Sequence, residues 1–92
     1  MFVLVLTYTK PLEEVDALMR GHVKWLNEQY VAGRFVVSGR QIPRTGGVIL
    51  ARGEDRDEIE AIAAADPFVK GGVATVEVIQ FRVSQTAPGF GS

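Results

Sequence analysis

The sequence predicts an α+β domain of the ferredoxin-like kind, a four-stranded antiparallel sheet with two helices on one face, in the order β-α-β-β-α-β. Three observations carry this expectation. β-branched and aromatic segments stand at the start, middle and end of the chain. Two stretches with apolar residues three and four apart lie between them. Glycine and proline mark the places where one period gives way to the other.

Phe2 to Tyr8 (FVLVLTY) is apolar on both of its period-two faces, as a strand covered on two sides should be. Pro11 suits the first turn of a helix, with Thr9 or Lys10 at the cap and Glu13, Glu14 and Asp16 where the helix dipole favours anions. One long helix is expected from Pro11 to Val31. Its apolar stripe is Val15, Leu18, Met19, His22, Trp25, Leu26 and Tyr30, with Arg20, Lys24 and Glu28 turned elsewhere, and Gly33 ends it as a left-handed cap. Phe35 to Ser38 reads as a second strand, Gly39 to Gly47 as a turn, and Val48 to Ala51 as a third strand. Asp55 and Glu58 have the spacing of a capping box for a second helix, whose core face is Ile59, Ile62 and Ala63 and which Pro67 terminates. Ala74 to Val83 is the last strand, and residues 84–92 form a flexible tail behind one domain spanning residues 1–83.

Two helices cannot cover both faces of such a sheet. Phe2, Leu4, Leu6, Val36, Val48, Leu50, Ile79 and Phe81 would leave an apolar surface in water, so a second copy is expected over the face carrying Phe2, Leu4, Leu6 and Phe81. A homodimer follows. With 92 residues, 47% apolar and 23% charged, the chain has the composition of one globular domain. Ten basic and eleven acidic side chains without a like-charged block give no cationic stripe, so nucleic acid is not an expected partner. The longest apolar run, Met1 to Leu6, is too short to span a bilayer and has no basic flank. No membrane association and a cytoplasmic location are expected. The absence of cysteine removes disulfides, thiolate nucleophiles and sulfur-bound metals together.

His22 is the only histidine, the residue type whose ordinary pKa of about 6.5 lets it exchange a proton near neutrality. It stands in the apolar stripe of the first helix, where it is either a core histidine with one satisfied partner or a buried acid–base group. Asp66 begins Asp-Pro-Phe and leaves the second helix at a break, as a turn or cap residue or as a functional carboxylate. Because both helices share one sheet face, Asp66 can approach His22, orient its ring and favour its charged form. Arg40 and Arg44, flanking Pro43, are either solvated loop residues or two-pronged anchors for a substrate carboxylate. Gly46-Gly47 and Gly71-Gly72 lack the strand–loop–helix setting of a phosphate loop. One histidine without cysteine cannot close a zinc site, and no cofactor or metal is expected.

Four segments in this order, His22-Val-Lys-Trp-Leu, Ser38-Gly39, Thr45-Gly-Gly-Val-Ile-Leu and Ala65-Asp66-Pro67-Phe68-Val69-Lys70-Gly-Gly-Val, make the chain resemble the YciI-like, or YCII-related, family over residues 1 to 83. The resemblance implies a dimeric α/β barrel of two ferredoxin-like subunits, with a site around His22 and Asp66 and with Phe68 as a wall. Trp25 or Tyr30 is expected nearby to exclude water. The wider barrel group contains isomerases, lyases, oxygenases and plain binders. The first expectation is cofactor-free acid–base chemistry of the lyase or isomerase type on a small organic molecule, with His22 moving the proton and Asp66 orienting it. The second is a non-catalytic dimeric binding or accessory module, and a third, by analogy alone, is haem held on His22.

Overall fold

A computed structural model describes residues 1–90. Its elements are β1 (Phe2–Tyr8), α1 (Leu12–Ala17), α2 (Met19–Val31), β2 (Phe35–Arg40), β3 (Gly46–Ala51), α3 (Arg56–Ala64), α4 (Pro67–Lys70) and β4 (Ala74–Gln80). The strands form one antiparallel sheet in the order β2-β3-β1-β4, the ferredoxin-like arrangement. The expected tail, residues 84–92, ends on Gly91 and Ser92, which lie outside the described residues.

β1 lies between β3 and β4, so its alternation decides which side chains meet the helices. Phe2, Leu4 and Leu6 are buried with Val15, Trp25, Ile59, Ala63 and Phe68 in a single core. This overturns the expectation that Phe2, Leu4 and Leu6 lie on the bare face. A strand apolar on both sides does not reveal from its own sequence which side the helices take. The register puts Val3 opposite Leu50 and Ile79, and Val5 opposite Val48, on the far side of the sheet. There Val37 is 56%, Val48 40%, Ile79 43% and Phe81 41% exposed, so the uncovered apolar face exists but is built from the other alternation.

The expected long helix is two helices. At Leu18, φ −105° and ψ 4° leave the helical basin and the Leu18 amide bonds back to the Val15 carbonyl at 3.0 Å. The break lets Leu18 lie against the backbone after α4, where a Cβ on Gly71 would fall 2.4 Å from Leu18 Cδ1. Gly33, at φ 78°, is the left-handed residue after α2. Asp55 caps α3 by accepting from the Glu58 amide at 3.3 Å, but the Glu58 carboxylate goes to Arg34 at 2.8 Å, so only half of the capping box forms. Pro67 does not end α3, which stops at Ala64. It opens α4 instead, as the first-turn proline behind Asp66.

β2 and β3 run further than expected, to Arg40 and from Gly46, leaving only residues 41–45 as the connection. The glycines read as turn punctuation are ladder residues: Gly46 pairs with Thr7, and Gly47 with Leu6 and Arg40. A Cβ on Gly46 would stand 1.8 Å from the Leu6 carbonyl oxygen, so β3 approaches β1 at a distance only glycine permits. β4 stops at Gln80 rather than Val83 because β1 begins at Phe2, and beyond the bond from the Phe81 amide to the Met1 carbonyl at 3.0 Å no partner strand remains.

Two of the three ladder glycines, Gly46 and Gly39, differ in a way a melting curve can read. Gly46→Ala should cost about 2 kcal/mol or more and lower Tm by roughly 10 °C, since the clash is with backbone. Gly39→Ala, with nothing within 4 Å of its Cβ, should leave Tm unchanged or slightly raised.

Candidate active site

A cleft of about 260 Å³ opens between α2 and the sheet. Its floor is Leu6 and Tyr8 of β1 with Gly46 to Ile49 of β3, and its helical wall is Met19, His22, Val23 and Leu26. Ser38, Gly39 and Arg40 of β2 line it, as do Arg44 in the following loop and Phe68 in α4. Most of this surface is apolar. The polar groups are His22, Tyr8, Ser38 and the two arginines, a small set on an apolar background of the kind that binds small molecules.

His22 Nδ1 lies 2.8 Å from Asp66 Oδ1. The imidazole keeps 13% of its side-chain surface and the carboxylate 1%. The same Oδ1 accepts the Phe68 amide at 3.0 Å, which caps α4. Asp66 Oδ2 is buried without a hydrogen-bond partner among the described residues. An ionised Asp66 at this distance makes Nδ1 the protonated ring nitrogen and leaves Nε2 as the one available to the cleft. The ring is further fixed by stacking on Phe68, with centroids 3.9 Å apart and planes 6° from parallel. Tyr8 meets the same Phe68 ring edge-on at 5.9 Å.

Arg44, in the loop between β2 and β3, is held by two neighbours. Its Nη2 donates to Asp16 Oδ1 at 2.5 Å, its guanidinium lies 5.7 Å from the Tyr8 ring centroid, and its buried Nε has no partner. The hydrogen bond from Arg44 holds the Asp16 carboxyl below the usual carboxylate range, and Asp16 in turn raises the arginine, with a smaller push from Tyr8. Arg40 makes no hydrogen bond or ion pair with its side chain among the described residues.

Of the residues singled out in the sequence, His22, Asp66, Phe68, Arg40 and Arg44 come together around one cleft. Trp25 does not line it. Its ring is 5% exposed inside the core, and its indole N–H donates to the Ile62 carbonyl at 3.1 Å, so it backs the imidazole from 5.6 Å without facing a ligand. Tyr30 is also outside the lining, but its hydroxyl lies 2.5 Å from Ser38 Oγ and orients that hydroxyl in the wall. Tyr8 and Ser38 were missed as site residues. The signal for Tyr8 was present, since it continues the inward alternation of Phe2, Leu4 and Leu6 to the end of β1. No group of three or more His, Cys, Asp or Glu able to hold a metal exists among the described residues, and no helix there is long and apolar enough to cross a membrane.

The Asp16–Arg44 pair sets a pH window. Asp16 has its folded-state pKa depressed, so its contribution is complete above the ordinary carboxylate value of about 3.9 and is lost as pH falls through the lower folded value. Thermal melts between pH 7 and pH 2 should show Asp16→Asn losing less stability on acidification below about pH 4 than the parent, with parallel curves above pH 5.

No curated protein matches the sequence at a significant level. Among solved structures, 5-chloro-2-hydroxyhydroquinone dehydrochlorinase from Burkholderia phenoliruptrix, in complex with 2,5-dihydroxybenzoquinone, superposes with a TM-score of 0.73. The match covers 91% of this chain and 96% of that one at 20% sequence identity, a likeness of fold. The model of the YCII-related domain matches residues 1–82, nearly the whole sequence, and the chain belongs to that family.

Proposed function

We propose that the protein is a cofactor-free acid–base enzyme of the lyase or isomerase type, acting on a small organic molecule through His22 and Asp66. The observation that carries this reading is the 2.8 Å contact between a nearly dry carboxylate and an imidazole at the edge of an apolar cleft. Asp66 fixes the tautomer and stabilises the imidazolium that forms when Nε2 takes a proton. In an elimination, Nε2 removes the substrate proton, the electron pair left behind forms the new double bond, and the leaving group departs with its own bonding pair. The imidazolium then returns its proton to the leaving group or to water. In an isomerisation the proton goes back to a different atom of the same molecule.

The similar solved structure is named as a dehydrochlorinase, and loss of hydrogen chloride is a reaction of this class. A second reading, a non-catalytic dimeric ligand-binding or accessory module, has one observation in its favour. Asp66 Oδ1 also caps α4, so the pair has a structural task whether or not it moves protons. For the same reason stability alone does not separate the two readings, because His22→Gln disturbs a buried acceptor in either case and costs about 1–3 kcal/mol.

Turnover separates them. The wild-type protein should release chloride from 5-chloro-2-hydroxyhydroquinone, or exchange a ring C–H of hydroxyhydroquinone with deuterated water by NMR, and His22→Gln should lower either rate about 10² to 10⁴-fold. Asp66→Asn, which keeps an acceptor for the Phe68 amide, should stay folded and lose rate less severely. Rates unchanged in His22→Gln would remove the dyad mechanism, and absence of both reactions would favour the binding module.

The same proposal includes a homodimer joined through the face of Val3, Val5, Val37, Val48, Ile79 and Phe81, which has no cover in one chain. Light scattering at micromolar concentration should give twice the chain mass. Val48→Lys should shift it toward one chain, and a wild-type protein of single-chain mass would exclude the dimer.

A further inference from the structure

We infer that the cleft selects a small planar organic oxyanion, an enolate, phenolate or carboxylate, anchored by Arg44 and Arg40 in the same cleft that His22 lines. This inference rests on the same cleft as the proposed reaction and names its class of ligand.

The first argument is charge. No acidic side chain lines the cleft, and the charged groups that do are Arg40 and Arg44. The two carboxylates bonded to its polar groups are both engaged: Asp66 is tied to His22 Nδ1, and Asp16 to Arg44 Nη2. Neither presents itself as a lining group that would repel an anion or hold a cation.

The second argument is unused donor capacity. A guanidinium has five N–H donors in a fixed fork. Arg44 uses Nη2 on Asp16 and leaves Nε buried and unpaired. The side chain keeps 23% of its surface, and a ligand oxygen at the accessible edge of the guanidinium would use donors that Asp16 does not. Arg40 has no partner for its side chain among the described residues. Arg44 is also pre-positioned, since Asp16 and the Tyr8 ring hold its guanidinium in place before a ligand arrives. Less ordering then remains to be done on binding.

Shape supplies the third argument. The cleft volume, about 260 Å³, suits a molecule of one ring, and its walls are apolar or flat: Leu6, Met19, Leu26 and Ile49 with the ring of Phe68. A hydrated inorganic anion would strand that apolar surface in water, whereas a planar organic anion covers it and gives its oxygens to the arginines. Such an anchor also serves the chemistry, because an oxygen held at Arg44 fixes the ligand within the cleft that His22 lines.

Titration calorimetry with matched pairs tests the inference: 2,5-dihydroxybenzoquinone against 2,5-dimethoxybenzoquinone, and benzoate against benzamide. At least one anion should bind about tenfold or more tightly than its neutral partner. That preference should fall about tenfold in Arg44→Gln and in Arg40→Gln, and Arg44→Lys, which keeps the charge but not the fork, should lie between. It should persist in His22→Gln, so the result is read without turnover. Equal affinity within both pairs, no saturable binding of either anion at millimolar concentration, or a preference that survives the Arg40→Gln/Arg44→Gln double variant would each overturn the inference. Loss of the preference beside intact His22-dependent turnover would defeat this inference alone. Retention of the preference with no effect of His22→Gln on rate would defeat only the proposed reaction.

Discussion

One buried carboxylate oxygen joins the two helical halves of the molecule. Asp66 Oδ1 receives His22 Nδ1 from α2 and the Phe68 amide from α4. α4 has four residues, far too few to hold itself as a helix in water. It persists because Asp66 caps it, Pro67 presets its first backbone angle and Phe68 is buried at its centre. The Phe68 ring in turn supports the imidazole. Of these two bonds the Phe68 one is internal to α4, and the His22 one, of a kind that contributes about 1.5–3 kcal/mol when a partner is charged, ties α4 to α2. The candidate base and the wall beside it are therefore placed by one residue, and neither can shift without the other.

A similar pairing recurs at Arg44. In each case a basic group lines the cleft and an acid holds it, Asp66 on His22 and Asp16 on Arg44. The two pairs differ in burial. Asp66 is dry, so its effect on His22 is little screened by salt, while Asp16 is more than half exposed and its direct bond to Arg44 is screened by water and salt.

Element types and order were legible in the sequence because the periods change cleanly and β-branched residues mark the strands. His22 and Asp66 stood out because a titratable ring interrupts an apolar stripe and a carboxylate stands at the Asp-Pro-Phe break after the second helix. What was hidden depends on distant residues. The sheet side chosen by Phe2, Leu4 and Leu6 is set by where α2 and α3 pack, and β1 is apolar either way. The kink at Leu18 has no proline or glycine to announce it, and the residue that leaves room for its side chain, Gly71, lies far along the chain. Gly46 looks like a turn residue until the Leu6 carbonyl is placed beside it. Trp25 shares the stripe with His22, yet its indole N–H is drawn to Ile62 on α3 and carries the ring away from the cleft.

The flat stack of His22 on Phe68 has a consequence for time as well as for position. A histidine ring free to turn about its Cβ–Cγ bond exchanges the places of its two edges on the timescale of side-chain motion. Here a half-turn would have to break the bond to Asp66 and sweep the ring through the volume that Phe68 fills at 3.9 Å. The two nitrogens therefore keep separate identities, one always inward and one always outward. In the proposed reaction a proton taken up on the outer nitrogen would be released from that same nitrogen, on the same side of the cleft, with no rotation between the two events.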